Sequence, residues 1–233
     1  MGGFDPVLIL RDPEFRELLV RGFEMTIIVA ACSWLLAISW GITLLLIRLT
    51  SSRVAGAAVA AYVTYHRNVP TLVQLMLWYF GISSLLPSVV QDWLGDHNGE
   101  VIFAVISLGL CQAAYFSEDL RSGLRSIPHG QNDAAKALGH GYISAMRFIL
   151  MPQAGRNALP ALINHTVSLF KNSSLAMAIG VAELTYAARE IENQSFRTFE
   201  TYLIATLLYL TSSLLLMALG AWLNRRAQPA GAH

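Results

Sequence analysis

Residues 126–154 read SIPHGQNDAAKALGHGYISAMRFILMPQA, the longest segment between hydrophobic stretches and the densest run of basic residues away from the ends. Ala134, Leu138, Tyr142, Met146 and Leu150 recur every four residues and line one face of a helical segment. Asp133, Lys136, His140 and Arg147 interleave with them. Asn132 is placed to cap the first helix, which sets Asp133 in its first turn, where an anion is favoured. Gly139 and Gly141 interrupt the run where a C-cap would fall, and Pro128 and Pro152 flank it. The pattern predicts a short amphipathic helix, a bend and a second helix. Its apolar face has no evident cover in so small a chain. A surface helix lying on a membrane, or folded back on its own bundle, is the plain explanation of the stretch by itself.

Composition sets the context. The chain has 233 residues, 55% hydrophobic and 13% charged, with a mean hydropathy of +0.49. Soluble domains carry roughly 25% charged residues, so this composition belongs to a polytopic membrane protein. A net charge of +1 offers nothing for nucleic acid. Cys32 and Cys111 both lie in apolar runs and form neither a disulfide framework nor a metal cluster. The opening MGGFDPVLILRDPEFRELLVRG mixes acids, prolines and arginines, unlike a cleavable signal peptide. There is no GxxxxGK[ST] phosphate loop, no HExxH and no Ser/His/Asp arrangement. Nothing marks an enzyme.

Stretches of about 20 apolar residues, the length needed to cross a bilayer, fall at 23–47, 56–86, 101–120, 158–181 and 202–223. Orientation follows from Lys and Arg. Arg48 and Arg53 follow the first span, Arg121, Arg125, Lys136, Arg147 and Arg156 the third, and Arg225 and Arg226 the last. The 87–100 connection has Asp92, Asp96 and Glu100 without a cation. The prediction is an all-α integral membrane protein of five transmembrane helices, N-terminus periplasmic and C-terminus cytoplasmic. Residues 1–22 form a periplasmic or interfacial segment, 23–225 a single transmembrane domain with the cytoplasmic loop 126–154, and 226–233 a tail.

Two spans are interrupted. The second contains His66, Arg67 and Asn68 before Pro70, about ten residues or roughly 15 Å in from its cytoplasmic end. The fourth has Pro160 and then Lys171, Asn172, Ser173 and Ser174. A cation at mid-bilayer costs several kcal/mol without a polar cavity or partner, and broken spans are where transporters place midplane sites. The competing reading is that these residues pair with each other or satisfy backbone groups freed by the prolines. His165, Asn164 and Gln74 suit ordinary inter-helix hydrogen bonds. Glu118 and Asp119 beside Arg121 read as a hydrated interfacial cluster. Gly22, Gly41, Gly109 and Ala113 read as close helix contacts, and Trp78, Tyr79, Trp93 and Trp222 as interfacial anchors.

With the spans in place, GQNDAAKALG followed by FILMPQA resembles the signature loop of ABC-importer permease subunits, a Glu-Ala-Ala triplet, a glycine and an Ile-Leu-Pro ending. Here the triplet is Asp133-Ala134-Ala135, the glycine Gly139 and the ending Leu150-Met151-Pro152. The runs AYVTYHRNVPTLVQLMLWYFGI, AAYFSEDLRSGLRSIPHGQ and ALPALINHTVSLFKNSSLAMAIGVAELTYAAREI resemble the five-span polar amino acid permeases over more than half of the chain. HRNVP and LFKNSSLA are most similar to the glutamate/aspartate permeases. The resemblance implies a bacterial inner-membrane complex with a second permease subunit, copy or paralogue, two ATPase subunits and a periplasmic amino-acid-binding protein. No cofactor is implied in this chain, since ATP and Mg²⁺ would sit on the ATPases. It implies that Arg67 and Lys171 supply positive potential to substrate, with Asn68, His165, Asn172 and Ser173 as hydrogen-bonding partners. Asp133, Ala134, Ala135, Leu138, Gly139 and Pro152 would form the coupling helix that docks on an ATPase. Importers of histidine, arginine or glutamine are alternatives, as are an ATP-independent secondary transporter and a non-transporting scaffold subunit.

Overall fold

The computed structural model describes residues 5–50 and 52–227, without the side chains of His129 and Asn132. All regular structure among the described residues is helical. A short helix α1 (Val7–Arg11) leads into α2 (Pro13–Arg48), capped by Asp12, whose side chain accepts from the Glu14 amide, with proline at its first position. At 36 residues α2 is about 54 Å long at ~1.5 Å per residue. The predicted boundary between residues 22 and 23 therefore falls within one continuous helix. Residues 228–233, most of the predicted tail, lie outside the described residues.

The second predicted span is divided into α3 (Arg53–Asn68) and α4 (Thr71–Met76), the latter continuing through a π turn at Leu77–Ile82 and a 3-10 turn at Ser83–Leu85. Pro70 causes the break. It has no N–H to donate, and its ring drives Val69 into extended backbone (φ −95°, ψ 132°). A surface helix α5 (Ser88–Asp96) precedes α6 (Gly99–Arg125). The 126–154 stretch holds α7 (His129–Ala137) and α8 (Tyr142–Ala145). The chain then runs without a break through a π turn at Met146–Leu150 into α9 (Met151–Asn172) and a 3-10 stretch to Ile179. The π turn lies just ahead of Pro152, where the missing N–H disturbs the helical ladder. Two more helices, α10 (Leu184–Ser195) and α11 (Thr198–Ala227), complete the fold.

Three of these helices, α2, α6 and α11, are by length and composition able to cross a membrane unaided, and Thr71–Leu85 forms a shorter apolar helical stretch. The fourth predicted span is helical but too polar along one side to register alone, since α9 carries Arg156, Asn157, Asn164, His165 and Lys171. Helix α6 is the centre. Its most apolar window is 61% buried, against 28% for α2 and 22% for α11, which present most of their apolar surface outward. Small residues let its neighbours close in. A Cβ on Gly123 would stand 2.4 Å from the Ala154 carbonyl oxygen and 2.9 Å from the Ala158 Cβ, so α6 and α9 touch backbone to backbone there. Gly22, expected at a close contact, faces α10 with a virtual Cβ 2.7 Å from the Ala187 Cβ, and Gly41 meets Phe116 and Ala113.

Two expectations for the opening stretch are corrected. The first helix begins at His129 after Pro128, so Asn132 lies within it and is not its cap. The four-residue repeat does not share one face, because the chain turns between α7 and α8. Leu138 and Tyr142 are 79% and 65% exposed whereas Leu150 is buried. The turn itself is as expected. Gly139 has φ +83°, its amide donates to Lys136 O at 2.9 Å, and the His140 amide donates to Ala135 O at 3.0 Å. Those paired bonds close a helix with glycine in the left-handed region.

Candidate functional site

The break at Pro70 is held open by one side chain. Gln74 is fully buried, and its Nε2 donates to His66 O at 3.1 Å and Val69 O at 2.8 Å. His66 O is the carbonyl that residue 70 would have satisfied in an uninterrupted helix, and proline cannot. His66 Nδ1 donates in turn to Gln74 Oε1 at 2.6 Å, and the Cys111 thiol approaches His66 O at 3.6 Å. For Gln74 and His66, the backbone-satisfying reading of the interruption is therefore the correct one.

The break sets Thr71 at the start of α4 against α6 and α9. There a cavity of about 150 Å³ is lined by Thr71, Cys111, Gln112, Tyr115, His165, Ser168 and Asn172, with Leu108 and Leu169. Most of these side chains are polar. Tyr115 ties the cavity to two neighbouring side chains. Its ring lies 5.0 Å from the His165 ring on one side and 5.5 Å below the Arg67 guanidinium on the other, the latter within cation–π range. His165 Nδ1 donates to Asp119 Oδ2 at 2.6 Å, linking α9 to α6 as its sequence context suggested. Asp119 is 8% exposed, so its carboxyl is buried beside that imidazole.

The six predicted substrate contacts do not all converge. His165 and Asn172 line the cavity, and Arg67 is outside its lining but lies over the ring of Tyr115, which is part of it. Asn68 is exposed and donates to Thr64 O at 2.6 Å within its own helix. Ser173 is fully buried, and its hydroxyl donates to Phe170 O at 2.7 Å. Lys171 is exposed and lies along a different cleft, about 560 Å³, between α9 and α11 beside Ser174, Thr185, Tyr202 and Tyr209. Its ammonium has no partner among the described residues. A further hollow of about 420 Å³ between α2, α9 and α11 is lined mainly by Phe23, Ile27, Trp34 and leucines and offers little polar chemistry.

Sequence reasoning missed Gln112 and Tyr115 and misplaced Asp119. The available signal was spacing, since Gln112, Tyr115 and Asp119 follow one another by three and four residues and so share one face of the helix. Glu118 does form the expected ion cluster, with Arg48 and with Arg121 at 3.5 Å. Asp119 does not take part in it.

At the other end of α9, Asp133 and Lys136 are exposed and 3.9 Å apart. Ala134 and Pro152 are exposed, Ala135 is buried, and Leu138, Ile143 and Phe148 are 79%, 79% and 66% exposed. This is a group of large apolar side chains beyond what a surface turn needs.

Comparison with known proteins gives a consistent picture. Residues 35–229 match the family model described as the binding-protein-dependent transport system inner membrane component. The glutamate/aspartate import permease protein GltJ of Escherichia coli (strain K12) is 30% identical over 214 residues, covering 90% of this chain and 87% of that one. The arginine transport system permease protein ArtQ of Bacillus subtilis (strain 168) is 31% identical over 209 residues, covering 89% and 91%. Among solved structures, an amino acid ABC transporter crystallised with histidines superposes with a TM-score of 0.84 at 28% identity, over 97% of this chain and all of that one.

Proposed function

This chain belongs to the family of binding-protein-dependent transport system inner membrane components, and from that premise we propose that it is the permease subunit of an ATP-driven importer of glutamate or aspartate. The observation that carries the reading is the cavity between α4, α6 and α9. Its lining is mostly polar, Arg67 lies over the ring of Tyr115, one of the lining residues, and Asp119 beside it is already engaged by His165. A basic substrate side chain would meet no available counter-charge there, whereas a carboxylate would meet donors. Similarity to a glutamate/aspartate import permease supports the same choice, and similarity to an arginine permease names the competitor.

On this reading the chain crosses the inner membrane five times, N-terminus periplasmic and C-terminus cytoplasmic. The second crossing is α3 with α4 and the fourth is α9. The packing supports this arrangement. Leu45, Leu120 and Ala158 share one cluster, and Leu223 lies beside Leu159. The basic ends of α2, α6, α9 and α11 thus gather on one side, as a cytoplasmic face requires. The outward apolar faces of α2 and α11 suit lipid and a second permease subunit. Asp133, Ala134, Ala135, Leu138, Gly139 and Pro152 meet an ATPase, of which the complex has two. ATP and Mg²⁺ are held there, so this subunit catalyses no chemistry. A periplasmic binding protein delivers substrate at the opposite face.

Substrate passes by alternate exposure of the cavity to the two sides. The test is binding-protein-dependent uptake of labelled L-glutamate by the reconstituted complex. Arg67→Ala is expected to reduce it about tenfold, the effect of roughly 1.4 kcal/mol, and Lys171→Ala to reduce it less, because Lys171 faces the other cleft. Unchanged uptake by both variants would remove these cations from the site.

A further inference from the structure

Five buried side-chain atoms lack a hydrogen-bond partner among the described residues: the hydroxyls of Ser33, Ser107, Thr201 and Ser213, and Nε2 of Gln112. Four of these are hydroxyls on helices, which can rotate to share a carbonyl of their own preceding turn. Gln112 is different. Its amide sits at the end of a long stem, the residue is 5% exposed, and it lines the cavity between α4, α6 and α9.

Several of its polar neighbours already have partners. Thr71 Oγ1 lies 3.7 Å from Cys111 Sγ, Cys111 is also 3.6 Å from His66 O, and His165 Nδ1 is engaged by Asp119. An amide left unpaired in such a place destabilises the fold, a cost that a ligand in the cavity would offset. The amide nitrogen can only donate, so its missing partner is an acceptor. The remaining lining of Ser168, Tyr115 and Asn172, with Arg67 over the Tyr115 ring, adds further donors and no uncompensated acid.

We infer that Gln112 is the specificity-determining donor of this cavity, and that it receives a carboxylate oxygen of the substrate. The inference rests on the cavity being the substrate site and adds which group of the substrate meets which side chain.

The experiment uses the complete complex in proteoliposomes with its binding protein, and measures the KM for labelled L-glutamate alongside the thermal stability of the purified complex. Gln112→Leu removes the donor at similar volume. The expected result is a KM raised about tenfold or more with an unchanged or higher melting midpoint, because removing an unpaired buried amide relieves the fold. Gln112→Glu keeps the size and presents an anion. It is expected to depress glutamate uptake further than the leucine variant does, and it carries the test if the leucine variant fails to assemble.

A parent-like KM in both variants would show that the amide meets only water, and overturns the inference while the importer reading stands. A raised KM with a lowered melting midpoint in both variants would make Gln112 a packing residue and also overturns it. If the parent complex takes up none of glutamate, aspartate, glutamine or arginine, the importer reading itself fails, and the inference with it.

Discussion

Replacing Gln74 by leucine should be one of the most damaging single changes in this chain, although Gln74 is absent from the cavity lining. The side chain makes three buried hydrogen bonds, two donated to carbonyls and one accepted from His66. Pro70 ensures that His66 O has no helical donor, and the thiol of Cys111 at 3.6 Å is a weak substitute. Leucine fills a similar volume, so little of the effect is a cavity. What it leaves are two carbonyls and an imidazole N–H without partners. At roughly 1–3 kcal/mol each when buried, less about 1–2 kcal/mol gained by the apolar side chain, the net loss lies between about 1 and 8 kcal/mol, and about 3 kcal/mol is taken as a conservative value within that range. For a chain of this size 1 kcal/mol moves the melting midpoint by about 2–4 °C, so a fall of roughly 6–12 °C is expected in thermal unfolding of the purified complex. Gln74→Glu should lie between parent and leucine, because a carboxyl still accepts from His66 but cannot serve both carbonyls. A leucine variant that melts with the parent would refute the claim that Gln74 satisfies the break at Pro70.

Two further substitutions probe other parts of the fold. Gly123→Ala forces a methyl to within 2.4 Å of Ala154 O, and overpacking of this kind costs about 1–3 kcal/mol. Gly56→Ala, with no atom within 4 Å of its virtual Cβ, should instead gain about 1 kcal/mol of helix propensity, and paired melting curves would expose any failure of that opposition. Gly139→Val places a β-branched residue at φ +83°, a local cost of about 1–3 kcal/mol. Uptake is expected to fall at least tenfold while the complex still hydrolyses ATP or sheds its ATPase, and fully coupled uptake would count against the docking role of this turn.

Local features were the readable ones. The glycine cap at residue 139 and the break at Pro70 depend on single residues with restricted or permissive backbone, so their positions can be read without knowing the rest of the chain. His165 was legible as an inter-helix partner because a polar ring in an apolar span needs one. What escaped was direction around a helix axis. Glu118 and Asp119 read as one cluster, but neighbours on an α-helix point about 100° apart. Glu118 reaches Arg48, while Asp119 turns inward to His165. Lys171 and Asn172 separate in the same way, one toward the cleft with α11 and the other into the cavity. The apolar four-residue repeat of 134–150 failed for a related reason. A stripe survives only along an unbroken helix, and the turn at Gly139 ends it.

The same turn explains how the two ends of the molecule can act together. The 126–154 stretch joins α6, which carries Gln112, Tyr115 and Asp119, to α9, which carries His165 and Asn172. It is therefore joined directly to the two helices that supply most of the cavity. From Tyr142 to Asn172 the chain is helical throughout, about 45 Å at ~1.5 Å per residue, with the π turn at Met146–Leu150 and Pro160 as the points where it can bend. Between the loop and the cavity lies the close contact of Gly123 with Ala154 and Ala158. A load applied at Leu138, Ile143 and Phe148 would rock α9 against α6 about that contact and change their separation at the cavity. On this lever account Gly123 is the fulcrum and Gly139 shapes the arm. Gly123→Ala should then lower uptake per ATP hydrolysed even at temperatures where the variant is fully folded. Parent-like coupling in a folded Gly123→Ala complex would refute the fulcrum while leaving the cavity assignment untouched.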